Sequence, residues 1–309
     1  MTHSHADMPV LGARGAALMR KAAIASVSVS LFLVAIKALG YFLTNSVAML
    51  ASLADSALDL FTSTLNLIAI RSALTPADEE HRFGHGKAEP LAGLAQGAFI
   101  AGSALFLVIE SVIRLITPEQ IENGSLAITI MVVSLLSVGG LVLFQRHVVR
   151  QTRSLAVHAD RTHYTTDVVS NAGVIIAVVL ATRLHWHIAD PVIALLVAAF
   201  MVVSASGVFR TSYDQLMDRE LPDADRERIK SIVMGHPEVR SLHDLRTRAA
   251  GTDTFIQLHI ELDPAMSLMR AHELSDSVEQ DLMAAFPRAE VIIHQDPAGV
   301  EMPPALAKS

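Results

Sequence analysis

Six apolar segments, at roughly residues 22–43, 47–70, 90–113, 124–145, 164–182 and 188–209, fill the chain up to about residue 210. Each matches the roughly 20 residues that cross a hydrocarbon core as a helix. In lipid no water is available to the backbone, so each segment must satisfy its own peptide groups, and helices are the expected form. The low charged fraction, 18%, agrees with a chain that meets lipid. The fifth segment is extended toward its N-terminus by "SLAVHADRTHYTTD", helical in pattern but polar.

From about residue 210 onward the composition is that of a small soluble domain. "DADRERIKSIVMGHP" reads as an amphipathic helix ended by Gly235 and Pro237. "VRSLHDLRTRAAG" and "DTFIQLHIELD" alternate with period two and are separated by a turn containing Gly251. "SLMRAHELSDSVEQDLMAAFP" is a second amphipathic helix and "AEVIIHQD" a third strand. The predicted fold is an all-α six-helix transmembrane domain, residues 21–210, followed by a C-terminal cytoplasmic α+β domain (αββαβ, ferredoxin-like), residues 211–300. Flexible tails are expected at 1–20 and 301–309. One side of the bilayer takes Arg14, Arg20, Lys21, Arg71, Arg82, Lys87, Arg146, Arg150, Arg153 and Arg161; the other takes only Arg114 and Arg183. Basic loops stay in the cytoplasm, so both termini are expected there, with the protein in the inner membrane. No cleavable signal peptide is expected, because the N-terminus lacks a basic start followed by an apolar core.

Within the second apolar segment, "SLADSALDLF" carries Asp55 and Asp59 about one helical turn apart, on one helix face. Like charges repel, and each carboxylate in hydrocarbon is costly by itself. A lone intramembrane aspartate could line a wet cleft or make interhelical hydrogen bonds. "HYTTD" near the start of the fifth segment adds His163 and Asp167 at the same spacing. Three carboxylates and an imidazole make a poor hydrogen-bond network and a good cation site, with ligands that suit zinc. Lys37 in the first segment is expected to snorkel to the outer interface. The chain has no cysteine, which excludes disulfides, iron–sulfur clusters and thiolate sites, so any metal must be held by imidazole and carboxylate.

Two further constellations lie outside the apolar segments. "TPADEEHRFGHGKAEP" places Asp78, His81 and His85 on one short loop, with Gly84 and Gly86 permitting a tight turn. That loop reads as a surface metal site or as a plain solvated segment. The C-terminal domain holds His243, His259, His272, His294 and Asp296. Scattered histidines are usually ordinary surface or core residues, but these potential ligands are dense for so small a domain. His3, His5, His158, His185 and His187 are expected to have no ligand role. Phosphate loops, HExxH and nucleophile elbows are all absent.

Taken together, "LADSALD", "PADEEHRFGHGKAEPLA", "HYTTDVVSN", "LMDRELPD", "HDLRTR", "FIQLHIEL" and "VIIHQDP" resemble the cation diffusion facilitator family, closely its bacterial zinc and ferrous-iron efflux pumps of the YiiP type. The resemblance runs from about residue 20 to 300. It implies a homodimer in the lipid bilayer, with no nucleic-acid partner. It also implies a transport site at Asp55, Asp59, His163 and Asp167, a loop site at Asp78, His81 and His85, and a two-metal site at the dimer interface from His243, His259, His272, His294 and Asp296. An ionic interlock between Lys87 and Asp218 is implied as well.

The expected function is a proton-coupled antiporter exporting divalent transition-metal cations from the cytoplasm, with Zn2+ favoured and Fe2+, Cd2+ and Mn2+ possible. Zn2+ would be the substrate and also a structural or regulatory ion; no organic cofactor and no enzymatic activity are expected. The alternatives are an intramembrane metalloenzyme, which lacks its usual motifs here, and a cation channel.

Overall fold

A computed structural model describes residues 13–44, 47–116, 125–184 and 189–299. It divides into two units, Arg14–Tyr213 and the residues from Asp214 onward. The tail positions 1–12 and 300–309, with His3, His5, His185 and His187, lie outside the described residues.

The first unit is built from six long helices: α1 (Ala13–Thr44), α2 (Val47–Ala73), α3 (Ala88–Ile116), α4 (Ser125–Thr152), α5 (Leu155–Leu184) and α6 (Ala189–Leu216). α1 starts ahead of its apolar run, so 13–20 are helical and not part of a flexible tail. The stretch "ARGAALMR" is rich in strong helix formers, and Met19 within it is fully buried. Among the described residues, five helices, α1–α4 and α6, are long and apolar enough to cross a membrane. Their outward faces expose Phe42, Leu105, Phe106, Leu136 and Leu143, a surface suited to lipid and not to water.

α5 is the most polar of the six, and it packs against α2, α3 and α4. Its buried Tyr164 packs with Leu33 of α1 and with Val138 and Leu141 of α4. The Tyr164 hydroxyl meets Ser30 Oγ of α1 at 2.5 Å and Ser63 Oγ of α2 at 2.6 Å. One turn earlier, the buried Asp160 carboxylate accepts from Ser26 Oγ (2.6 Å), Gln145 Nε2 (2.7 Å) and Gln96 Nε2 (3.0 Å). Donors from α1, α4 and α3 thus converge on one side chain of α5. At the start of α5 the buried Glu89 of α3 accepts from Ser154 Oγ at 2.5 Å and from the Ala156 N–H at 3.1 Å. A carboxylate there meets the otherwise unpaired N–H groups and positive end of a helix N-terminus. α6 packs on α3 through Val197, Met201 and Ala205 against Ile100 and Ala104. Gly93 permits the close approach: a Cβ there would stand 2.2 Å from Ser212 Oγ.

The second unit follows the order α7 (Asp223–Val233), β1 (Ser241–Ala250), β2 (Asp253–Leu262), α8 (Leu268–Ala285), β3 (Ala289–Pro297). The sheet order is β1-β2-β3, with β1 antiparallel to β2 and β3 parallel to it. Gly251, at φ 63°, makes the tight β1–β2 connection, and α8 is the crossover that a parallel pair requires. Period-two alternation sends Ile256, Leu258, Ile260 and Leu262 of β2 into a core with Ile229 and Val233 of α7 and Val278 and Leu282 of α8. The opposite face of β2 carries Gln257, His259 and Glu261.

Leu282 is fully buried in that core and Leu268 is 81% exposed at the start of α8. Leu282→Ala should cost about 2–5 kcal/mol in this unit, and Leu268→Ala less than about 0.5 kcal/mol. Hydrogen exchange of β2 amides in the full chain reads both effects; equal protection in the two variants would contradict this core.

Candidate metal sites

The first cluster joins Asp59 of α2 to His163 and Asp167 of α5, with one ligand atom from each lying within 4.8 Å of the others. His163 Nε2 is 3.0 Å from Asp59 Oδ1 and 3.7 Å from Asp167 Oδ2. The one-turn spacing puts His163 and Asp167 on the same face of α5, and that face meets α2. Two buried atoms, His163 Nδ1 and Asp167 Oδ2, have no hydrogen-bond partner. A tetrahedral ion with bonds of about 2.0–2.1 Å sets ligand atoms roughly 3.3–3.4 Å apart, and the two separations from His163 bracket that span. The orphaned carboxylate oxygen and the donor set both fit a divalent cation.

Asp55 does not join this group. It lies one turn earlier on α2 and is exposed; four residues advance a helix about 6 Å, which carries its carboxylate away from the level where α2 meets α5. Lys37 also departs from expectation. Its ammonium does not snorkel to an interface; it donates to Ser56 Oγ at 2.7 Å and to the Ser52 carbonyl at 3.2 Å, both on α2. The reason is local: those two acceptors bracket Asp55 on a helix face that α1 reaches.

In the loop after α2, Asp78, His81 and His85 come together. Asp78 Oδ1 accepts from the backbone N–H groups of His81 (2.6 Å) and Glu80 (3.0 Å), and lies 3.3 Å from His81 Nδ1. Asp78 Oδ2 is 3.4 Å from His85 Nε2, and the two imidazole centroids are 4.4 Å apart. Gly84 adopts φ 74°, a conformation that favours glycine, and its N–H closes onto the His81 carbonyl at 2.9 Å.

The third cluster lies on the sheet face opposite the helices. His243, His259 and His294 occupy successive strands at paired positions, so their side chains form one row. Ring centroids are 5.1 Å apart from His243 to His259 and 4.5 Å from His259 to His294. Asp296 Oδ2 is 2.8 Å from His259 Nδ1 and 3.2 Å from His243 Nε2, while Oδ1 is 3.3 Å from His294 Nε2. Despite that proximity neither ring nitrogen of His243 makes a hydrogen bond of proper geometry. His243, His259 and Asp296 form the tightest group, with the more exposed His294 beside it. His272 is not among them; it is exposed on α8, with Nδ1 3.4 Å from Asp276, because α8 covers the other face of the sheet.

Asp244 was not expected near these groups, since alternation sends it away from His243. A register shift between His243 and Arg246, with Asp244 at φ 45°, breaks the alternation and leaves its Oδ2 3.7 Å from His259 Nε2. Lys87 stands just before α3, and Asp218 Oδ1 lies 3.3 Å from Arg248 Nη1; each belongs to its own unit.

Each of the two outer clusters holds a shifted carboxyl. Asp78 sits below its ordinary value because the His81 backbone N–H stabilises the anion. Partial burial would raise Asp296, but the His259 hydrogen bond and the neighbouring imidazoles bring it below.

Two family models match the chain: the cation efflux transmembrane domain over residues 23–217 and the cation efflux protein cytoplasmic domain over 221–298. The cation-efflux pump FieF of Klebsiella pneumoniae is 44% identical over 283 residues, 92% of this chain and 94% of that protein. The Serratia proteamaculans pump of the same name is 45% identical over 285 residues, 92% and 95% of the two chains. Among solved structures, the metal-bound C-terminal domain of the CzcD transporter from Thermotoga maritima is 31% identical, with a TM-score of 0.25, covering 26% of this chain and 93% of that one.

The depressed Asp78 carboxyl gives a pH expectation for the metal-free loop. Its contribution to loop order is fully present above the ordinary carboxylate value, about 3.9, and is lost as pH falls through the lower folded value. The carboxyl 13C shift of Asp78 should therefore show its main inflection only below that ordinary value. An inflection at or above it would show that the Asp78–His81 bond does not form.

Proposed function

The chain belongs to the cation efflux family, and from that premise we propose that it is a proton-coupled antiporter exporting divalent transition-metal cations, with Zn2+ as main cargo. It is a multi-pass membrane transporter and not an enzyme. The carrying observation is the buried Asp167 Oδ2, which has no donor and faces an imidazole already paired with Asp59 on the neighbouring helix. A dication supplies the missing partner. Asp59, His163 and Asp167 bind the cargo, and Asp55, one turn away on α2, adds its charge without joining them.

Coupling to protons follows from the ligand chemistry. The carboxylates must be ionised and the imidazole neutral to bind a metal, so protons arriving from the acidic side compete for the same atoms and displace it. Alternating exposure of the site to the two sides then converts inward proton flow into outward cation flow. The basic bias of the loops supports an inner-membrane orientation with both termini and the C-terminal unit in the cytoplasm.

The His243–His259–Asp296 cluster, with His294 beside it, acts as a cytoplasmic regulatory metal site. It lies on the sheet face that α7 and α8 leave uncovered, where a second copy of the chain can approach to form a homodimer. The loop cluster at Asp78 is a second cytoplasmic binding point near the entry to α3.

Reconstitution into liposomes tests the proposal, with Zn2+, Fe2+, Mn2+ and Cd2+ uptake recorded against an imposed pH gradient. Zn2+ flux should rise with the gradient, and Asp59→Asn or Asp167→Asn should bring it to the level of protein-free vesicles. His259→Ala combined with Asp296→Ala should slow transport without abolishing it. Flux indifferent to the gradient, or wild-type flux in Asp59→Asn, would refute the antiport reading.

A further inference from the structure

Lys37 is a cation inside the apolar span Arg14–Leu43 of α1, and its ammonium is directed at α2. Two of its three N–H groups are taken by Ser56 Oγ and the Ser52 carbonyl. Ser56 is fully buried, so the ammonium is fastened inside the bundle and does not range over its surface. From that position it lies within electrostatic reach of Asp59, Asp55 and Asp167.

We infer that Lys37 is a fixed counter-charge of the transport site, a specificity-determining residue that holds dication affinity down and speeds cargo release. The inference rests on the transport-site assignment above. Its logic is a count of charge. Asp55, Asp59 and Asp167 carry −3 when ionised and Lys37 carries +1, which sums to −2. A single dication brings the assembly to zero while His163 stays neutral. A monovalent ion leaves it negative and a trivalent ion leaves it positive, and net charge is costly in a medium of low dielectric. Without the ammonium the empty site would be more negative and would hold a dication more tightly, which suits storage and not turnover. The hydrogen bonds to Ser52 and Ser56 matter because they keep the ammonium from becoming a mobile ion-pair partner of one carboxylate. Its field acts on the whole site and its nitrogen stays off the ligand positions.

The test uses the full chain in detergent with Asp78→Ala, His259→Ala and Asp296→Ala, which dismantle the other two clusters. Zn2+ affinity is read by competition with a chromogenic chelator and release by stopped flow. Lys37→Met should bind Zn2+ roughly tenfold or more tighter and release it more slowly, since removing a nearby like charge from a partly buried site is worth at least that factor. Lys37→Arg should stay near the parent value. Lys37→Gln removes the charge but keeps N–H donors for Ser52 and Ser56; it should follow Lys37→Met, and it guards against loss of fold in the apolar variant. Unchanged or weaker binding in Lys37→Gln would overturn the counter-charge role and leave Lys37 a tie between α1 and α2. Asp59→Asn in the same background separates the two claims. If it abolishes binding while the Lys37 variants leave affinity unchanged, only this inference fails; if it leaves binding intact, the site itself is wrong.

Discussion

A carboxylate inside a helical bundle that faces lipid must be met by hydrogen-bond donors, by a helix end or by a cation. The first unit contains all three solutions. Asp160 is met by neutral donors from α1, α3 and α4, and Glu89 by the N-terminus of α5 together with Ser154. Asp59 and Asp167 are met only in part, by one shared imidazole, and a buried oxygen of Asp167 is left without a donor. The first two arrangements hold helices together and need nothing from outside. The third is incomplete in protein atoms alone, which sets it apart from the two structural polar contacts made of the same residue types.

The three histidine–aspartate clusters are assembled by different means. The loop cluster is local: Asp78 closes a turn through backbone N–H groups, and Gly84 supplies the one left-handed residue. The sheet cluster depends on register, because a shift by one residue would turn His259 into the core and bring Ile260 out. The membrane cluster depends on two helices meeting at one level. Its histidine is almost wholly buried, whereas His81 of the loop and His294 of the sheet are exposed. The bundle cluster thus encloses its imidazole while leaving its two carboxylates partly open.

Much of this was readable in the sequence. Apolar runs marked six helices, period-two alternation marked three strands, and the one-turn spacing of His163 and Asp167 marked a face that meets α2, where of the pair Asp55 and Asp59 only Asp59 reaches it. The readable part is the part set by neighbours along the chain. Lys37 departs from its expected place because its depth is visible in sequence but its partners on α2 are not. The convergence of Ser26, Gln96 and Gln145 on Asp160 was invisible for the same reason, since each donor looks like an ordinary small polar residue in its own helix. His272 stands apart from the sheet histidines within one protomer because α8 covers the other sheet face, a separation that residue type does not reveal. Asp244 was missed because a bulge has no signal beyond the adjacent "HD".

The order of partners along α5 carries a consequence for how the helix responds to cargo. Its first turn is fixed by Glu89 and its second by Asp160, through hydrogen bonds from neutral groups that no metal and no change of gradient replaces. The next turn, from His163 to Asp167, is tied to α2 by an imidazole shared between two carboxylates and by no neutral donor to Asp167 Oδ2. Ionic partners of this kind are exchanged whenever a cation or a proton takes the place of the other, and the packing of α2 on α5 is then set by whichever is present. Under the proposed transport, a permanent anchor on one turn and an exchangeable contact on the next confine a bound cation's influence to the part of α5 beyond Asp160. Had Asp160 been left as incompletely satisfied as Asp167, a cation would have had two competing wells on the same helix face, and the bundle would have bound metal without a defined place from which to release it.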